Sequence, residues 1–348
     1  MGFQVNDADQ QVSTGRLPPW ADVEALTQAA YERNRLVGGG AVADYIPVLA
    51  EADPASFGLA VVEVGGGVHD AGDAEVRFSI QSISKAFVFA LVCDAIGHDA
   101  VLDRVGVNNT GLAFDSVMAI EINAGHPMNP MVNAGALATT ALIPGSTFDE
   151  QWKYLAAGLS RFAGHDLEVD DVVRRSEART NQRNHAIARL LESYGRISLD
   201  PLGLVDVYTR QCSLLVTAHD LAVMGATLAD GGVNPVTRER VVSAEVARDT
   251  LAMLAASGLY ERSGEWLYEI GLPGKSGVAG GLVTISPGKA GIGSYSPLLD
   301  PAGNSIRGQR AAAFLSRSLG LNIFASAPPG SRSPDPRPKP APTTAATP

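Results

Sequence analysis

The chain reads as an α+β fold: one sheet assembled from both ends, with a helical lobe between them. Three observations predict it. Apolar strand patterns occupy Leu59 to Val64 and Glu75 to Ser79, early in the chain. The stretch from Ser82 to about Met253 is mostly helical in pattern. Strand patterns return at Leu282 to Ser286 and Gly291 to Tyr295, ahead of a last helix from about Ser305 to Leu319. Strands at both ends with helices between them belong most simply to one sheet carrying a helical insertion.

The elements follow in order. Pro18 and Pro19 lead into a helix predicted to bury Trp20, Val23, Leu26 and Ala30 on one face. Gly65, Gly66 and Gly67 form the loop between the first two predicted strands. Within the helical stretch, Thr217 and Asp220 have capping-box spacing, and that helix should end near Gly231 and Gly232. The first fifteen residues are polar and expected to be flexible. Residues 16–324 are expected to form one unit, its helical lobe at about 86–255. Residues 325–348 hold eight prolines and no periodic apolar residues, so a disordered tail is expected there.

Composition removes several classes. The chain has 348 residues and a net charge of −10, with a pI near 5.1. That argues against a nucleic-acid surface, which needs clustered cations. The longest apolar run, Ala86 to Cys93, is too short to span a bilayer, and the polar N-terminus lacks a secretory pattern. A cytoplasmic protein with no membrane or nucleic-acid partner is expected. Cys93 and Cys212 lie in apolar surroundings and should be buried, reduced thiols. The six histidines show no ligand spacing, so no metal is expected. Only five of 27 basic residues are lysines: Lys85, Lys153, Lys275, Lys289 and Lys339.

The first of those lysines lies in Gln81-Ser82-Ile83-Ser84-Lys85, an S-x-x-K pattern that runs into an apolar helix. A strand ends before it, which places Ser82 at a helix N-terminus and Lys85 one turn later on the same face. A desolvated lysine can remove a serine proton, and free N–H groups at the helix start can meet a developing oxyanion. The same residues also read as a helix cap followed by an exposed lysine. A second match, Ser286-Pro287-Gly288-Lys289, is a turn in which lysine and serine do not share a helical face. Gly274-Lys275-Ser276-Gly277-Val278-Ala279-Gly280-Gly281 is not a phosphate loop, because Glu269 stands where the earlier glycine is needed and a strand follows. A lysine-hydroxyl-glycine triplet on a strand opposite S-x-x-K instead completes the pattern of penicillin-recognising serine enzymes.

Three segments carry a closer resemblance: Phe78 to Lys85, Asn129-Pro130-Met131-Val132-Asn133-Ala134-Gly135-Ala136, and Lys275 to Gly281. Together they resemble the serine-dependent glutaminases, bacterial and mitochondrial-type, from about Trp20 to Phe324. The resemblance implies the β-lactamase/transpeptidase fold, an antiparallel sheet flanked by helices, and release of ammonia from L-glutamine without a cofactor. It implies Ser82 as nucleophile, Lys85 as its base, Tyr260 as active-site tyrosine and Val278 as an oxyanion donor. Tyr45, Gln81, Asn133, Glu177, Asn184, Tyr208 and Val278 match substrate-binding positions. Gly274 departs from the pattern, since many members carry alanine there. Assembly as a homodimer or homotetramer is also implied.

The residue types suit a zwitterion. Glu177 can take the ammonium, and Tyr45, Asn133, Asn184 and Tyr208 can supply hydrogen bonds. Two rivals follow from the same residues: another serine hydrolase of the fold, such as a β-lactamase, peptidase or esterase, and a non-catalytic glutamine sensor. Ammonia release against penicillin or ester turnover separates them.

Overall fold

The computed structural model describes residues 8–9, 11 and 15–326. Most of the expected flexible N-terminus, and all but the start of the expected Pro-rich tail, fall outside the described residues.

Five antiparallel strands form the main sheet: β1 (Gly58–Glu63), β2 (Val68–Gly72), β5 (Gly274–Ser276), β6 (Gly281–Ser286) and β7 (Ala290–Tyr295), in the order β2-β1-β7-β6-β5. β1 pairs with β7 from Gly58↔Tyr295 to Glu63↔Ala290, so the sheet joins both ends of the chain as expected. A separate two-stranded ladder pairs β3 (Phe78–Ser79) with β4 (Leu215–Val216).

Alternation along β1 shows how the layers are filled. Leu59 and Val61 face a core shared with Val23 and Ala30 of the Trp20–Asn34 helix and with Ala312 and Leu315 of the Ile306–Ser318 helix. Ala60 and Val62 face Ala222, Val223 and Ala226 of the Ala218–Ala229 helix. Period-two side chains thus serve two helical layers from one strand. Small residues on β7 let the Ala218–Ala229 helix lie close: a side chain at Gly293 would collide with the Ala218 carbonyl. That helix opens with the expected capping box, Thr217 and Asp220 bonding each other's backbone N–H.

The helical lobe between β3 and β5 packs around the helix Ser84–Ile96, whose first ten residues are all buried. Phe87, Leu91, Leu155, Phe162, Met224 and Leu254 belong to its core. Among the described residues, no helix is long and apolar enough to cross a membrane. Cys93 and Cys212 are both free and buried.

Two local expectations are corrected. The strand expected over Glu75 to Ser79 is reduced to Phe78–Ser79 and lies outside the main sheet; the true partner of β1 begins directly after the glycines, at Val68. His69 and Asp70 hid it, because a polar residue on each face disguises a short strand. The first helix buries Val23, Thr27, Ala30 and Asn34, whereas Trp20 is 57 % exposed and lies against the His69 ring instead. Thr27 and Asn34 can be buried because each bonds a carbonyl one turn earlier, on Val23 and Ala30.

Candidate active site

β3 delivers the chain to a short 3₁₀ turn, Gln81–Ile83, which runs directly into the helix Ser84–Ile96. Ser82 is therefore in the turn before the helix, and Lys85 enters on the helix's first turn. Gln81 takes φ 51°, a left-handed conformation that costs a non-glycine residue of order 1–3 kcal/mol. The turn is held by Ser84, whose hydroxyl donates to Gln81 O at 2.7 Å and accepts from Gln211 Nε2 at 2.9 Å.

Lys85 is 2 % exposed. Its Nζ donates to Met131 O at 3.0 Å and to Asn133 Oδ1 at 2.7 Å. No carboxylate touches it, and burial pushes its pKa down to about 8. Asn133 begins the helix Asn133–Thr140 and donates through Nδ2 to Asn184 Oδ1 at 2.9 Å.

Tyr260 closes another side. It is the second site residue with a left-handed backbone, φ 56°. Its carbonyl accepts from Asn109 Nδ2 at 2.9 Å and from Ser263 Oγ at 2.7 Å, which fixes that backbone. The phenol is hydrogen-bonded to Ser82; burial raises its pKa, and the bond to Ser82 offsets part of the rise. Both buried lysines face its ring: Lys275 Nζ is 4.0 Å and Lys85 Nζ 5.4 Å from the centroid. Phe114 packs against the same ring at 5.1 Å.

Lys275 lies on β5 and is wholly buried, its Nζ donating to Ser276 O at 2.9 Å. Burial, and then the neighbouring charge of Lys85, hold it well below the ordinary lysine range. Two ammonium groups this close disfavour each other, so the pocket is biased toward at least one neutral amine. The next residue but one, Gly277, brings the strand against the turn that holds Ser82: a Cβ there would be 2.9 Å from Ile80 O and 3.3 Å from Gln81 Cβ. Only glycine permits that approach, and Val278 follows it.

Glu177, on the helix Asp171–Thr180, is 7 % exposed. Burial pushes its carboxyl up to about 7, while Gln81 Nε2, 3.5 Å from Oε2, and the charge of Lys85 pull the other way. Gln81 Nε2 also donates to Ser79 Oγ at 3.1 Å. Tyr208 is buried, with its ring centroid 6.0 Å from Lys85 Nζ. Tyr45 is 54 % exposed just before the 3₁₀ turn Pro47–Glu51, with its hydroxyl within electrostatic reach of Glu177 and Tyr260.

Contacts therefore tie nine of the ten residues expected from the sequence into one cluster, with Tyr45 at its exposed margin, and Val278 directly follows Gly277 beside it. Sequence reasoning missed the residues behind them. Asn181 and Thr209 extend the amide chain beyond Asn184; the available signals were a three-residue helical spacing from Asn184 and adjacency to Tyr208. Cys212 is hydrogen-bonded to Tyr208 and Ser84, and its thiol is pushed up by burial. A cavity of about 1120 Å³ lined by Leu259, Trp266, Tyr268, Asp300 and Ile306 contains none of the ten. Asp70, Glu75 and His219 each bring one ligand-type atom within 4.8 Å of the others, but both acids are exposed. His219 Nδ1 is already paired with Asp70 at 3.0 Å.

A serine in the turn before a helix, a buried lysine one turn on, and a Lys-Ser-Gly strand at the edge of an antiparallel sheet define the β-lactamase-like class. Within that class the glutaminase profile matches residues 40–324, and the chain belongs to the glutaminase family, hydrolases that act on amide bonds. It is 55 % identical to Glutaminase 2 of Yersinia pestis over 317 residues, covering 91 % of this chain and 93 % of that one. The solved structure of the probable glutaminase YbaS superposes with a TM-score of 0.86 at 44 % identity, covering 88 % of this chain and 99 % of the other. The crystal structure of Mglu in its glutamate form gives a TM-score of 0.84 at 40 % identity, covering 88 % and 70 %.

Proposed function

We propose that this protein hydrolyses L-glutamine to L-glutamate and ammonia through a γ-glutamyl ester on Ser82. Lys85 takes the Ser82 proton as the oxygen attacks the side-chain amide carbon. The N–H groups of Ser82 and Val278 receive the resulting oxyanion, and Tyr260 passes a proton to the departing ammonia. Water then attacks the ester by the reverse proton route and releases glutamate. Glu177 takes the substrate ammonium, with Tyr45, Gln81, Asn133, Asn184 and Tyr208 around the zwitterion. No metal or organic cofactor enters the scheme.

The observation that carries this reading is the environment of Lys85. Its amine is buried, held through two N–H groups at 3.0 and 2.7 Å, and lowered to about 8, so a lone pair is accessible at mildly alkaline pH. The glutamate form of the related Mglu supports the substrate class, since glutamate is the expected product. Ammonia release by Ser82→Ala and Lys85→Ala is the test. Both should lose turnover while remaining folded, and near-normal turnover in either would sink the mechanism. The same reading takes residues 16–324 as one catalytic unit, cytoplasmic and a homodimer or homotetramer, which fractionation and light scattering test.

A further inference from the structure

The polarity of the buried chain behind Lys85 is decided at its far end. Thr209 Oγ1 lies 2.8 Å from Val205 O and 2.6 Å from the side-chain amide of Asn181. A carbonyl oxygen can only accept, so the single hydroxyl proton of Thr209 belongs to Val205. The hydroxyl oxygen is left as an acceptor, and Asn181 must turn Nδ2 toward it. Its Oδ1 then accepts from Asn184 Nδ2 at 3.0 Å, and Asn184 Oδ1 accepts from Asn133 Nδ2 at 2.9 Å. Asn133 Oδ1 is thereby turned to Lys85 Nζ at 2.7 Å. Each amide in this sequence could be reversed in isolation, but the threonine forbids reversal of any of them. Lys85, Asn133, Asn181, Asn184 and Thr209 are each no more than 9 % exposed, which leaves water little room to supply alternative partners.

The consequence falls on the amine. A neutral lysine has two N–H bonds and one lone pair. Met131 O accepts one N–H, and Asn133 Oδ1 accepts the other. Both donors are thus occupied by groups that cannot donate, and the lone pair is left for the Ser82 hydroxyl. If Asn133 presented Nδ2 instead, that donor would compete for the lone pair.

We propose that Thr209 and Asn181 are positioning residues for hydrolysis, which fix the direction of the Asn181–Asn184–Asn133 amides so that Lys85 keeps its lone pair for Ser82. The inference rests on Lys85 being the base. Neither residue touches the reacting atoms. Their action runs through Asn133, and it is a matter of bond direction rather than of filling space.

Thr209→Val keeps the shape and removes the acceptor, whereas Thr209→Ser keeps the hydroxyl. In steady-state ammonia release the valine variant should lose roughly 10- to 100-fold in kcat, as for other small misplacements of reacting groups. KM should rise as well, because Asn133 and Asn184 also border the proposed substrate site, so the loss in kcat and the pH limb carry the test. The acid limb of its kcat profile should also move to lower pH, because a donor facing Nζ disfavours the ammonium. The serine variant should restore both quantities. Asn181→Leu cuts the adjacent link and should reproduce the valine result if the valine variant folds poorly. Wild-type kcat and an unmoved limb in folded Thr209→Val or Asn181→Leu overturn the inference, as does a serine variant as impaired as the valine one. Retained turnover in Lys85→Ala would instead overturn the base assignment. Loss there, with wild-type kcat in Thr209→Val, refutes only the role of the relay.

Discussion

The molecule contains two Ser-x-x-Lys segments, and comparing them separates the features particular to the proposed base from those a structural lysine shares. Lys85 and Lys289 are both buried, 2 % and 5 % exposed, and burial lowers both pKa values. In the first segment a helical turn places serine and lysine on one face, and Nζ meets an oriented amide, a carbonyl and two aromatic rings. In the second, Gly288 at φ 72° forms the hairpin turn between β6 and β7, and Lys289 Nζ donates to Gly320 O at 2.8 Å. There the lysine ties the hairpin to the residues after the last helix. Burial and a lowered pKa are common to both, so neither marks a base. What sets Lys85 apart, and supports its proposed role, is the convergence of independent elements on the amine.

That contrast can be broken most sharply at the lysines themselves. Lys85→Met should lower kcat by roughly 10²- to 10⁴-fold, the range for loss of a general base, while Lys289→Met leaves kcat near the wild-type value. Equal losses in ammonia assays would erase the distinction. Next in size, Glu177→Gln should raise KM for glutamine by roughly 10- to 100-fold with a smaller change in kcat, since a hydrogen bond to a charged group contributes about 1.5–3 kcal/mol. An unchanged KM would remove Glu177 from the ammonium site. The pH profile sharpens the comparison further. Because Lys85 must be neutral to accept a proton and titrates at about 8, kcat should rise through that pH. Glu177 must be ionised and titrates at about 7, so KM should worsen as pH falls through that value. Both effects favour mildly alkaline conditions, and a flat profile from pH 6 to 9 would contradict them. The smallest effect belongs to the second segment: Lys289→Met should lower stability by about 1 kcal/mol, for its bond to Gly320, read as a shift in denaturant midpoint.

Much of this was legible before the structure. The capping box at Thr217 and Asp220, the hairpin strands β6 and β7 and the joining of both chain ends followed from local chemistry and element order. β2 did not, because His69 and Asp70 conceal its alternation. Nor could periodicity place Trp20, whose ring left the core for His69. At the site, the residues proposed to face the substrate were named by their resemblance to a family, but those packed behind them were not. Asn181 and Thr209 belong to no motif; their spacing from Asn184 and Tyr208 was a weak signal, and the bond between them, across 28 positions, had none. The left-handed backbones of Gln81 and Tyr260 were equally hidden, since both residue types ordinarily avoid that conformation.

The pairing of Gly58 with Tyr295 makes the enzyme a product of its own completion. Ser82, Lys85, Asn133, Glu177, Asn184 and Tyr208 all leave the ribosome before β5, β6 and β7 exist. Until those strands arrive, β1 has only β2 beside it, the Ser82 turn lacks the wall that Gly277 presses against it, and Tyr260 lacks Lys275. A chain ending before β5 therefore carries these side chains without the strands that enclose them. Sheet and candidate site are thus completed together, by contacts between parts of the chain that lie far apart in sequence.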